Sequence, residues 1–128
     1  MSKKVLLVDD SLFMRNMMKD ILNKNFECEI IEAETGPGAE ATFNKEKPDV
    51  TLLDIVMPEG DEEGVRVLEA IKKTDPNAKI IMVTAVGHEM VIEKCKGLGV
   101  EEYIIKPLDE DTVIEVLEKC LGEKKAAQ

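Results

Sequence analysis

Basic residues are scarce in this sequence. Lys and Arg number 17 against 27 Asp and Glu, giving a net charge of −10 over 128 residues. Phosphate backbones require a basic footprint, so nucleic acid is excluded as a partner. Anionic membrane surfaces are disfavoured for the same reason. Long apolar runs are also missing: none approaches the roughly 20 residues that span a bilayer, which excludes membrane insertion. The stretch "MSKKVLLVDD" offers only about four apolar residues before its acids, too few for a signal-peptide core. Three cysteines, Cys28, Cys95 and Cys120, are odd in number and far apart, and His88 is the single histidine. No metal-ligand spacing joins them, so the thiols read as reduced, in a cytoplasmic protein. Neither a Walker A loop nor Gly-x-Gly-x-x-Gly occurs, and no repeat or linker interrupts the chain. What is present is 44% hydrophobic and 34% charged. That suits one domain, over 1–122, large enough to bury a core without staples, with a frayed tail over 123–128.

Apolar runs recur at Val5–Val8, Glu29–Ala33, Val50–Leu53, Lys79–Val83 and Glu102–Ile105. Most lack alternation, as strands covered on both faces do. Helical periodicity fills the intervals. Met14, Met17, Met18 and Ile21 share a face after the capping pair Asp10-Ser11. Gly36-Pro37 opens a second helix. Val67, Leu68 and Ile71 mark a third, stopped near Asp75-Pro76, and Val91, Cys95 and Leu98 a fourth, stopped by Gly97 and Gly99. Val113, Val116, Leu117 and Cys120 mark a fifth, ended by Gly122. Five strands alternating with five helices imply right-handed crossovers and a parallel sheet in a three-layer α/β domain.

Ligands of open α/β sheets sit at the carboxyl ends of the strands. There the first strand delivers Asp9-Asp10, the third Asp54, the fourth Thr84-Ala85 and the fifth Lys106-Pro107. The second ends in Glu32, which has no evident partner. Two adjacent acids closing a buried strand repel each other unless a cation lies between them. Three carboxylates suit a hard divalent cation such as Mg²⁺, and Thr84 and Lys106 would then surround a phosphoryl group.

The set "LLVDD", "LLDIVMP", "VTA" and "YIIKP", in this order and spacing, resembles the receiver domain of two-component response regulators, most closely the single-domain chemotaxis type. The resemblance covers residues 3–121. It implies a doubly wound, flavodoxin-like (βα)5 fold with a five-stranded parallel sheet of order 2-1-3-4-5 and helices on both faces. It also implies a signalling switch rather than an enzyme, phosphorylated on Asp54 by a sensor histidine kinase. Asp10 would hold Mg²⁺ directly and Asp9 through water, with Asp54 and the Val56 carbonyl as further ligands. Thr84, Lys106 and the Ala85 amide would bind the phosphoryl oxygens, and Lys106-Pro107 would be cis. Tyr103 would change rotamer with phosphorylation. Val56 and Val86 would flank the path of hydrolytic water and tune lifetime. The output of this monomeric protein would be protein docking on the fourth helix, fifth strand and fifth helix, to a motility motor or adaptor, with a phosphatase as a further partner. A phosphorelay intermediate is the alternative within the family.

One departure stands out. Family members reach a turn glycine soon after "DIxMP"; here "DIVMPEGDEEGVRVL" reaches Gly64 about two residues late. Either Gly60-Asp61 makes the turn or the loop is longer. "EGDEEG" reads as solvated loop, His88 as exposed, the cysteines as small apolar residues on helices, and the three methionines as core or a contact surface of the first helix. A haloacid-dehalogenase-type phosphohydrolase would carry its nucleophile in an Asp-x-Asp motif after the first strand, which "DDS" does not provide. A flavodoxin-like carrier would need a phosphate loop where the two acids stand.

Overall fold

Val5 and Leu7 join the core on one side of a sheet and Leu6 and Val8 the core on the other, and all four are buried. A strand covered on both faces reads as an unbroken apolar run for this reason. The structure, a computed structural model, describes residues 3–125. Strands β1 (Lys3–Val8), β2 (Cys28–Ala33), β3 (Val50–Leu53), β4 (Ile80–Thr84) and β5 (Glu102–Ile105) alternate with helices α1 (Leu12–Asn25), α2 (Gly36–Glu46), α3 (Glu63–Thr74), α4 (Glu89–Gly97) and α5 (Glu110–Leu121). The strands pair in parallel in the order β2-β1-β3-β4-β5, the doubly wound arrangement that the resemblance implies.

Two core layers hold the sheet. Met18, Ile21 and Leu22 of α1 and Val113, Val116 and Leu117 of α5 cover one face. Ala39 and Phe43 of α2, Val67, Leu68 and Ile71 of α3 and Cys95 of α4 cover the other. Each fully buried aliphatic side chain contributes about 1.5–3 kcal/mol. Helix starts are set locally. Ser11 Oγ accepts from the Met14 N–H at 3.2 Å, Thr35 Oγ1 from the Gly38 N–H at 3.0 Å and Asp109 Oδ2 from the Thr112 N–H at 3.2 Å. Such caps satisfy amides that have no partner within the helix.

The structure refines several expectations. On α1 the buried face is Arg15, Met18, Ile21 and Leu22. Met14 is only half-buried, and Met17 is exposed alongside Leu12 and Phe13. Cys95 and Cys120 are buried on helices, whereas Cys28 lies half-buried in β2. Burial raises the thiol pKa of all three, which disfavours the nucleophilic thiolate. His88 is exposed at the N-cap of α4. Of the tail expected to fray, residues 126–128 lie outside the described residues. Lys125 ties back to the end of α1, its backbone N–H donating to the Asn25 carbonyl at 2.7 Å.

The late glycine is resolved in favour of a longer loop. Met57 and Gly60 exchange backbone hydrogen bonds of 3.1 and 3.0 Å in a tight turn, and α3 begins only at Glu63. Gly64 then packs on the end of β3, its N–H donating to the Ile55 carbonyl at 2.8 Å. A Cβ there would meet the Asp54 carbonyl oxygen at 2.0 Å. Gly64→Ala is therefore expected to cost about 3 kcal/mol, the upper part of the overpacking range, because backbone rather than a flexible side chain must move. Urea unfolding measures it, and a loss under 1 kcal/mol would contradict this contact.

"EGDEEG" is not simply solvated. Glu59 Oε1 accepts from the Gly36 N–H at 3.0 Å at the start of α2, where the helix dipole favours a negative charge. The Glu63 carboxylate lies against Gly36 and is forked onto Arg66 at 2.6 Å, and Arg66 also pairs with Glu40. The lengthened loop is thus strapped to α2. In β3 the Thr51 hydroxyl is fully buried and, among the described residues, unpartnered. Thr51→Val is expected to raise stability by about 1 kcal/mol by removing that unsatisfied group. A fall in the unfolding midpoint would show that the hydroxyl has a partner after all.

Candidate functional site

Register brings the acids together. Val8 pairs with Leu53, so the next residues on each strand, Asp9 and Asp54, emerge side by side at the carboxyl end of the sheet. The Asp54 N–H extends the ladder by one bond, donating to the Val8 carbonyl at 3.0 Å. On the other side Thr84 pairs with Ile105, and the Lys106 N–H donates to the Thr84 carbonyl at 2.8 Å. Lys106 thereby enters the same rim from β5. The Lys106-Pro107 peptide is cis.

Carboxylate oxygens of Asp9, Asp10 and Asp54 all lie within 4.8 Å of one another. Lys106 Nζ sits between two of them, 2.8 Å from Asp9 Oδ2 and 3.1 Å from Asp54 Oδ2. Burial opposes the charge on Lys106, but the hydrogen bond to Asp9 and the charge of Asp54 outweigh it, and the ammonium pKa is raised. Asp54 is only 7% exposed. Its Oδ1 accepts from the Ile55 N–H at 2.7 Å and, more weakly, from the Val56 N–H at 3.4 Å. Asp9 Oδ1 accepts from the Ser11 N–H at 2.9 Å, so both oxygens of Asp9 are engaged. Asp10 is exposed, and its carboxylate makes no hydrogen bond among the described residues.

One ammonium against three carboxylates leaves the rim with an excess of negative charge. The donors are carboxylate oxygens only, with no sulfur or imidazole in the cluster. That donor set fits a hard cation such as Mg²⁺, which takes one or two carboxylates and retains water.

The remaining predicted residues sit close by with differing engagements. Thr84 is fully buried, and its Oγ1 accepts from the Val86 N–H at 3.3 Å. No side-chain hydrogen bond joins Thr84 to Asp54 or Lys106 among the described residues. Ala85 is exposed at the end of β4. Val56 is 41% exposed beside Asp54, and Val86 is half-buried. Tyr103 is turned inward against the α2–α3–α4 core, and its hydroxyl donates to the Val86 carbonyl. Burial, with Cys95 and Asp54 adding, pushes the phenol pKa up to about 12, so it remains a neutral donor.

At this rim the sequence reading missed Arg15 and left Glu32 without a partner. Glu32 does have partners: Arg15 Nε at 2.9 Å and Lys19 Nζ at 3.2 Å. Arg15 is itself buried, and its Nη1 donates to the Asp9 carbonyl at 2.8 Å. The signal was a cation at a buried position of α1, adjacent to Met14 in a stretch that should have been apolar.

A family model described as the response regulator receiver domain matches residues 5–118. The chain belongs to that family. Chemotaxis protein CheY of Bacillus subtilis is 40% identical over 122 residues, covering 95% of this receiver and 100% of that protein. CheY of Listeria monocytogenes is 44% identical over 119 residues, 91% and 97% of the two chains. In three dimensions the receiver is similar to a chain of the CheX-CheY-BeF3-Mg complex from Borrelia burgdorferi. That match has a TM-score of 0.84 and 32% identity, and covers 91% of this chain and 87% of the other. The receiver is thus of the CheY type, a class of signalling switch rather than metabolic enzyme. No helix among its described residues is long and apolar enough to cross a membrane.

Proposed function

We propose that this receiver is a phosphorylation-activated response regulator that accepts a phosphoryl group from a sensor histidine kinase onto Asp54, and that its output serves chemotaxis or motility. The observation that carries the reading is the bridge of Lys106 between Asp9 and Asp54, with the Asp10 carboxylate left free beside it. Asp54 is the nucleophile: a carboxylate oxygen bonds to phosphorus as the bond from phosphorus to the kinase's imidazole nitrogen breaks. Phosphoryl transfer asks the protein mainly for positioning and charge neutralisation. The amides of Ile55 and Val56 hold the carboxylate, and Lys106 turns from Asp54 to the incoming phosphoryl oxygens. The Thr84 hydroxyl and the Ala85 amide donate to the others. Asp10 directly, Asp9 through water, Asp54 and the Val56 carbonyl would hold Mg²⁺. When bound, this ion neutralises charge on the phosphoryl oxygens.

Tyr103 couples this site to its output. A Thr84 hydroxyl drawn to the phosphoryl group must leave the Val86 amide, and Tyr103 holds the carbonyl of that same residue. Modification therefore acts on the β4–α4 segment, biasing a two-state element as a switch requires. The output face is α4, β5 and α5, where Met90 and Ile105 are exposed. It would dock a motor or adaptor protein. We place the receiver in the cytoplasm, acting as a monomer over 1–122 with a phosphatase as a further partner. The names of its relatives favour chemotaxis over a phosphorelay.

Lifetime follows from what flanks Asp54. In-line water must pass between Val56 and Val86, two branched side chains that offer it no hydrogen bond. The Val56→Asn, Val86→Glu double variant is expected to lose its phosphoryl group about tenfold faster, roughly 1.4 kcal/mol of barrier, with Mg²⁺ affinity unchanged. Equal or slower decay at saturating Mg²⁺ would sink the idea.

Acetyl phosphate with Mg²⁺ tests the function itself. Intact-mass measurement is expected to find one added phosphoryl group per chain, with no turnover of phosphate esters. Steady ester hydrolysis without a stable adduct would instead indicate a phosphohydrolase.

A further inference from the structure

Arg15 is a charged side chain where α1 should be apolar. It is 5% exposed and shares the buried face of the helix with Met18, Ile21 and Leu22. A buried guanidinium is costly unless its donors are matched, and here each edge of the fork has an acceptor. Nε donates to Glu32 Oε1 at 2.9 Å, Nη2 to Glu34 Oε1 at 3.0 Å and Nη1 to the Asp9 carbonyl at 2.8 Å. Lys19 holds the other Glu32 oxygen at 3.2 Å. The two glutamates alone would make this a strut between α1 and the end of β2. The third bond does something else, because the Asp9 carbonyl belongs to the peptide that joins Asp9 to Asp10.

That peptide is planar, so a fixed carbonyl fixes the amide and Cα of Asp10. The Asp9 N–H is held as well, donating to the Ala33 carbonyl at 3.2 Å. The pair of acids is thus clamped on the backbone from both sides, although their side chains repel. We infer that Arg15 is a positioning residue of the acidic cluster: its fork sets the Asp9–Asp10 peptide and hence the direction in which Asp10 presents its carboxylate to a divalent cation. The planar guanidinium spreads its donors over three nitrogens in a fixed fork and so reaches three separated acceptors, whereas an ammonium gathers its three rotatable donors on one nitrogen at the end of a flexible stem. The inference rests on the reading of Asp9, Asp10 and Asp54 as a Mg²⁺ site.

Calorimetric titration with Mg²⁺ alone, beside the Asp10 amide resonance in ¹⁵N NMR, tests it. Arg15→Lys keeps the charge and loses the fork; it is expected to weaken Mg²⁺ binding about tenfold, as loss of an outer support does, and to shift the Asp10 resonance. Glu34→Gln, at an exposed side chain, is expected to change affinity less than about twofold. Should Arg15→Lys not fold, Glu32→Gln loosens the same fork and is expected to weaken binding by a smaller factor with the same Asp10 shift. A folded Arg15→Lys or Glu32→Gln protein with wild-type affinity and an unmoved Asp10 resonance would overturn the inference, even if its melting temperature fell. Wild-type protein that binds no Mg²⁺ would overturn both the inference and the site reading, so the two failures are distinguishable.

Discussion

Lys106→Met is expected to slow phosphoryl uptake from acetyl phosphate by about 10²- to 10³-fold, the scale for removing one preorganised charge-stabilising group. The same change should tighten Mg²⁺ binding. The ammonium lies 2.8 and 3.1 Å from oxygens of Asp9 and Asp54, so it competes with a divalent cation for them. At an effective dielectric near that of water, a unit charge about 4 Å from a dication repels it by about 2 kcal/mol. With partial relaxation that predicts roughly tenfold tighter binding in the variant. Opposite signs for metal affinity and phosphorylation rate are the signature of a cation that neutralises the phosphoryl group. Weaker Mg²⁺ binding together with an unchanged rate would mean that Lys106 only shapes the site.

Asp10→Asn is expected to weaken Mg²⁺ binding on the order of 100-fold, and Asp9→Asn about tenfold, the range for losing an outer partner. The two acids are neighbours in sequence but not in circumstance. Both oxygens of Asp9 are occupied, one by the Ser11 amide and one by Lys106. Asp10 is exposed, and its carboxylate is unengaged among the described residues. A free carboxylate is the one available for direct ligation, whereas Asp9, with both oxygens engaged, would reach the cation through water. The chain has no tryptophan to quench, so calorimetry is the suitable readout. Equal losses for the two variants would remove the distinction between them.

The rim was legible because strands covered on both faces announce themselves as apolar runs, and what closes each run is then placed at one end of the sheet. "LLVDD", "VTLLD" and "YIIKP" gave up Asp9, Asp10, Asp54 and Lys106 in this way. Pairings between distant residues left no such trace. Gly36 with Glu59 and Glu40 with Arg66 lie 23 and 26 positions apart, so an acidic stretch that straps the loop to α2 looked like solvated charge. Gly64 was visible as a late glycine, but the carbonyl of Asp54 at 2.0 Å from any Cβ is a tertiary fact. Arg15 and Glu32 were each noticed or passed over singly; only folding brings β2 alongside α1 and makes them partners. The inward turn of Tyr103 onto the Val86 carbonyl depends on a side-chain rotamer, which periodicity does not encode.

The measurement closest to the centre of the account is the location of the phosphoryl group. Protein treated with acetyl phosphate and Mg²⁺, then digested and sequenced by tandem mass spectrometry, is expected to carry the group on the peptide containing Asp54 and at that residue. Asp54→Asn, or excess chelator, should leave the protein unmodified. A phosphoryl group found at another residue, or taken up as fast without a divalent cation, would contradict the assignment of Asp54, Asp10 and Asp9 to one metal-assisted phosphoacceptor site.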